Sequence, residues 1–167
     1  MLETALLMSF PVAMTFAAAN DLFTMKIPNK ISSAIVAMFF AAVFVARLDW
    51  QTTGLHIACG AAVLVFGFVL FQMKMLGGGD AKLMAASALW MGADQILAFI
   101  AYVTIFGGIL AVGILFYRKF IPASALALPG WAMRLHVQGT GIPYGIAISA
   151  AALLLYPQTP WFQAFAA

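Results

Sequence analysis

From Trp50 to Met73 the sequence runs without one Asp, Glu, Lys or Arg, and from Gln95 to Tyr117 it does so again. A helix needs roughly 20 such residues to cross the hydrocarbon core of a bilayer. Within that layer each backbone N–H and C=O must find its partner inside the protein, so long apolar runs fold as helices. Composition agrees, with 65% hydrophobic residues, 8% charged and a mean hydropathy of +1.06. A soluble domain is about half apolar and about a quarter charged. These features specify an integral membrane protein of the all-α class.

Charges and turn residues divide the chain into six predicted helices at about 4–20, 31–48, 54–73, 80–92, 95–117 and 140–156. The 167 residues leave room for a single membrane-embedded domain, 1–167. The first segment has the apolar centre and Ala-rich end of a signal peptide, but Glu3 stands where a basic region belongs. It reads as a retained spanning helix. The fourth segment is short for a crossing and needs the Gly77–Gly79 stretch to reach into the membrane, where non-helical backbone is tolerated only beside protein or a water-filled cavity.

Seven of the eight basic residues fall in alternate connections: Lys26, Lys30, Lys74, Lys82, Arg118, Lys119 and Arg134. Arg47 alone falls on the other side. The positive-inside rule makes the seven-residue face cytoplasmic and puts both termini outside. The connection 118–139 contains Pro122, Pro129, Gly130 and an amphipathic piece, "WAMRLHV", whose Trp131, Arg134 and Leu135 suit the cytoplasmic membrane surface. No internal repeat is evident.

This topology sets two carboxylates at one face and at similar depth, Asp21 at the end of helix 1 and Asp80 at the start of helix 4. Ionisable groups at membrane depth are costly and mark functional sites by default. Glu3, Asp49 and Asp94 fall on the outer side and read as solvated boundary residues. Two aspartates that meet share a proton, because like charges at close range cannot both ionise. The ionised carboxylate then activates water while the protonated one polarises a peptide carbonyl. No His cluster offers metal-ligand spacing, His56 and His136 lie on opposite sides, and the single Cys59 reads as a small hydrophobe. Neither metal nor cofactor is expected, nor a nucleic-acid partner.

"GGGD" (Gly77 to Asp80) permits unusual backbone angles and the close approach of a substrate chain. Its bland alternative is a helix-breaking loop with Asp80 as the N-cap. On "GGGD" and on "DLFTMKIPN" (Asp21 to Asn29) the sequence resembles the type IV prepilin peptidases, which carry a GxGD motif and an aspartate followed by Ile-Pro-Asn. "GGGDAKLMAA" and "GIPYGIAI" (Gly141 to Ile148) are similar to that family's fourth and last helix regions. The resemblance implies Asp21 and Asp80 as catalytic dyad. It also implies, as substrate, a pilin precursor cut on the cytoplasmic side between a basic leader and the hydrophobic helix that follows. The large bifunctional members carry two CxxC pairs associated with methylating the new N-terminus. With Cys59 alone, the chain looks like the small peptidase-only members of Flp-type pilus systems, in the bacterial inner membrane, with pilus-assembly proteins as further partners. The archaeal preflagellin peptidases are close neighbours.

The remaining candidates have plainer readings beside functional ones. Lys82, two positions after Asp80, points away from it and snorkels toward headgroups. Pro28 sets the entry to helix 2 and Asn29 caps it. Pro143 and Tyr144 open helix 6 near a substrate groove. A small transporter using Asp21 and Asp80 as ion sites, or a non-catalytic scaffold, are the competing functions; Ile-Pro-Asn after Asp21 favours the peptidase.

Overall fold

The computed structural model describes residues 1–120, 129–137 and 141–166. Its elements are α1 (Leu2–Thr24), α2 (Asn29–Ala46), α3 (Trp50–Gln72), α4 (Gly78–Phe120), α5 (Gly130–His136), α6 (Tyr144–Leu155), a 3-10 turn (Tyr156–Gln158) and α7 (Pro160–Ala166). No strand occurs among the described residues. Helices α1 to α4 are each long and apolar enough to cross a membrane. Pro122 and the predicted start of the last helix at 140 lie outside the described residues.

The predicted fourth and fifth helices are the two arms of α4, which breaks at Gly92 (φ 65°, ψ −173°). That conformation is open almost only to glycine. The break falls where the predicted fourth segment ends, at 92, because a residue lacking a side chain permits the turn there. The chain doubles back there. Gly79, at one end of α4, packs on Ile27; Tyr117, near the other end, donates to the Ala132 carbonyl of α5, whose Arg134 donates to the Phe23 carbonyl of α1. Both ends of α4 thus lie beside the C-terminal end of α1.

The arm from Gly78 to Met91 spans only about 20 Å at about 1.5 Å per residue, well short of the roughly 30 Å hydrocarbon core. It has no need to meet lipid. From Ala81 to Gly92 every residue except Lys82 is buried, as befits a helix that is apolar all round. α2, α3 and α6 pack against α4. α1 packs on α6, α2 and α7, so the first helix is a structural part of the bundle.

Lipid tails are as apolar as leucine, so packing and hydrogen bonds hold such a bundle together. The end away from Asp21 shows how. Pro11 lies inside α1 and has no N–H to offer the Leu7 carbonyl. The Tyr156 hydroxyl donates to that carbonyl instead, at 2.9 Å. The break at Gly92 likewise deprives Leu89 and Trp90 of helical partners. His56 Nδ1 donates to the Leu89 carbonyl at 2.6 Å, and Trp161 Nε1 to the Trp90 carbonyl at 2.8 Å. Trp90 Nε1 in turn donates to the Ile35 carbonyl of α2. Unsatisfied, each of these carbonyls would cost several kcal/mol in an apolar layer. Phe10, Phe39, Trp90, Tyr156 and Trp161 join their rings around these bonds. His56, from sequence only one of two histidines on opposite sides, is thus a buried member of this seal.

Candidate active site

At the other end, Asp21 occupies the last turn of α1, which extends to Thr24 rather than ending at 20. The chain leaves α1 through Met25 in the left-handed region (φ 55°), its N–H donating to the Asp21 carbonyl at 2.8 Å. Asn20 Nδ2 and Thr24 Oγ1 both donate to the Lys26 carbonyl. These bonds fix the turn that carries Ile27 and Pro28 back across the bundle.

Asp80 lies in the first turn of α4, which begins at Gly78. Gly78 and Gly79 are therefore helical, against the expectation of three non-helical glycines. None of the three has a positive φ; among the described glycines only Gly92 does. Asp80 is not the N-cap either. Its carboxylate reaches back to the Gly77 N–H, as an acid in the third helical position does in a capping box. A side chain at Gly77 would start 2.5 Å from Asp80 Oδ2. One at Gly79 would meet Ile27 Cβ at 3.1 Å and its carbonyl at 3.3 Å, and one at Gly78 the Phe71 ring at 3.3 Å. What the glycines admit closely is thus the protein's own chain and the Asp80 carboxylate.

Asp21 and Asp80 come together at this end, on the walls of the same cavities. Asp21 is only 5% exposed. Two adjoining cavities share the pair. One, about 650 Å³, is lined also by Met25, Lys74, Gly77 and Tyr144. The other, about 580 Å³, is lined also by Ile27, Pro28, Asn29 and Gly79. Asp21 Oδ2 accepts from the Gly145 N–H at 2.7 Å, so the carboxylate sits on the N-terminus of α6, where backbone N–H groups point outward. A Cβ at Gly145 would stand 2.8 Å from that oxygen. Gly145 was not singled out from sequence, although the quoted "GIPYGIAI" contains it; nothing in that string shows which glycine faces an acid.

The other candidates separate. Tyr144 lines the larger cavity, whereas Pro143 is buried behind it as the N-cap residue of α6. Pro28 is the N-cap residue of α2, and Asn29 makes no capping bond. Its amide oxygen accepts from Lys82 Nζ at 2.9 Å, so this exposed lysine bridges α4 to α2 instead of reaching only outward. Trp131 of α5 packs edge-on against Phe23. Far from the pair, Asp49 caps α3 through Thr52, whose hydroxyl and N–H hold the Asp49 carboxyl below its ordinary range. Glu3 and Asp94 are exposed. Among the described residues no three His, Cys, Asp or Glu side chains gather as a metal site.

An all-α bundle of apolar helices with two buried-end aspartates facing shared cavities defines a membrane protein with a paired-carboxylate site. The type IV leader peptidase family is matched over residues 8–112, a span that includes both aspartates and the glycines between them. The chain belongs to that family. It is a peptidase of the kind that processes prepilins. No curated protein and no solved structure matches it.

Proposed function

We propose that the chain is an intramembrane aspartic endopeptidase, with Asp21 and Asp80 as its catalytic pair. It removes the leader of Flp-like type IV prepilins at the cytoplasmic face of the bacterial inner membrane. The convergence of the two carboxylates on shared cavities is the observation that supports this most strongly. One ionised carboxylate takes a proton from water, and the resulting hydroxyl attacks the scissile carbonyl carbon. The protonated partner gives its proton to the carbonyl oxygen, and the tetrahedral species collapses as the leaving amine is protonated. The Gly145 and Gly77 N–H groups hold the two carboxylates in register for that exchange. The wall residues Gly78, Gly79, Pro28, Asn29 and Tyr144, with Lys82 and Pro143 outside the wall, support the pair or the substrate.

Sidedness follows from charge. The seven basic residues Lys26, Lys30, Lys74, Lys82, Arg118, Lys119 and Arg134 belong to the ends and connections beside the aspartates, and Arg47 follows α2 at the far end. Leu7 of α1 and Tyr156, just after α6, meet at that far end, which supports an even number of crossings between them. The single cysteine leaves no CxxC pair, which supports cleavage without methylation.

The test is a proteoliposome assay with a candidate Flp-type prepilin, run beside an ion-flux measurement and with a methyl donor present. Cleavage with an unmodified new N-terminus, read by mass spectrometry, is the expected result. Ion flux without cleavage would transfer the site to a transporter.

A further inference from the structure

Helices α2 and α3 are joined by a short turn yet scarcely touch. Neighbours in sequence usually pack together. Here they splay, and the short arm of α4 shows through the gap. The result is a groove of about 600 Å³, open at its side and overwhelmingly apolar. Its floor is Ala85, Ala86 and Leu89; Ser32 and Ser33 of α2 face Gly60 and Ala61 of α3 across it. Ser33 and Ala61, small and exposed on the two rims, let another helix bring its backbone close there.

Two further observations say what fills it. Ser32 lines the groove, is 7% exposed, and its Oγ has no hydrogen-bond partner. That hydroxyl is closed off as it stands, but a turn about its χ1 would let it bond to an incoming polypeptide, a partner that an acyl chain does not offer. Asn29 lines both this groove and the cavity that holds Asp21 and Asp80. The Lys82–Asn29 hydrogen bond lies at the junction. A chain passing from the carboxylates into the groove therefore meets an ammonium and an amide, donors for backbone carbonyls not yet in a helix.

Building on the peptidase reading, we propose that this groove seats the apolar helix that follows the cut in the precursor. It would hold that helix against the short arm of α4 for about 10 Å, the length from Lys82 to Leu89. The occupant is polypeptide, aligned by the same arm that carries Asp80. Binding in the groove thereby sets which peptide bond reaches the pair.

The test uses the full chain in proteoliposomes. In a Cys59→Ala, Asp80→Asn background, single cysteines replace Ser33 or Ala61, both exposed on the groove's rim. Val112, 52% exposed elsewhere, is the control. Cysteines scanned through the precursor's apolar segment should cross-link to positions 33 and 61 with helical period, and not to 112. In the otherwise wild-type enzyme, Ala61→Trp should raise KM on the order of tenfold, with the loss falling on KM rather than kcat; Val112→Trp should change neither. Cleavage of the precursor with no cross-link at 33 or 61 and a wild-type KM for Ala61→Trp, including the case of a phospholipid retained in the groove, overturns the groove and leaves the peptidase standing. A chain that cleaves no prepilin at all overturns both.

Discussion

The two ends of this bundle are built by opposite rules. Around Gly92 the backbone is irregular, and side-chain donors close it off: His56, Trp161 and Tyr156 each take up a carbonyl that a break or a proline has freed. Around Asp80 the helix itself is regular, with Gly78 and Gly79 helical. Met25 and Lys74 turn the neighbouring chain through left-handed backbone, and the space between stays open, with polar groups on its walls. The break in α4 is thus at the sealed end, and the unbroken start of α4 lies at the end that holds the proposed catalytic pair. A broken membrane helix is therefore not in itself a pointer to the site; what marks the site is unspent polar capacity. The tight end fixes the height of the short arm of α4, and the loose end uses that fixed arm to hold Asp80 opposite Asp21.

The sharpest break of this contrast comes from the carboxylates. Asp21→Asn and Asp80→Asn should each lower prepilin cleavage to background, a loss of at least about a thousandfold, with unfolding in detergent close to wild type. Asp49→Asn and Asp94→Asn should cleave normally. Comparable activity in either pair member would remove the distinction between the reactive end and the rest. Membrane levels are matched before rates are compared.

Next in size is Gly145→Val. Its side chain would start 2.8 Å from Asp21 Oδ2 and push that carboxylate from its place. Misplacement by about 1 Å costs on the order of a hundredfold in rate, so kcat should fall by about that much while the bundle stays folded. An unchanged kcat would show that the Asp21–Gly145 contact is dispensable.

At the sealed end the expected losses are of stability. Gly92→Val combines about 1–3 kcal/mol of backbone strain with a similar amount of overpacking, because its Cβ would lie 2.4 Å from the His56 ring. His56→Leu, which orphans only the Leu89 carbonyl, should cost less, about 1–3 kcal/mol. Denaturant unfolding in detergent measures both, and the folded fraction should retain near-normal kcat. A large kcat loss in His56→Leu without any stability loss would erase the division of labour between the ends.

The sequence made the outline readable because the signals were strong and local. Charge-free runs marked the helices, the lopsided lysines and arginines grouped the connections, and "GGGD" with "DLFTMKIPN" drew attention to Asp80 and Asp21. What stayed hidden depends on pairing at a distance. Gly145 matters through the Asp21 oxygen it faces, far away in sequence. His56 gave no sign of its part because nothing beside it in sequence reveals the Leu89 carbonyl. The end of the fourth segment at 92 is legible in the sequence, but that Gly92 itself makes the turn rests on a φ of 65° that only the fold discloses. Gly78 and Gly79 looked flexible and proved helical, since packing on Phe71 and Ile27 rewards their smallness rather than their freedom.

The central claim is that Asp21 and Asp80 face each other across one cavity in the resting protein. Cysteines introduced at both positions in a Cys59→Ala background, treated in native membranes with a short bifunctional thiol reagent and no prepilin, test it without any activity assay. Rapid internal cross-linking of 21 to 80, with none between cysteines at 49 and 80, is the predicted result. If positions 21 and 80 both react with a monofunctional reagent yet never bridge, the pair is not assembled and the account fails.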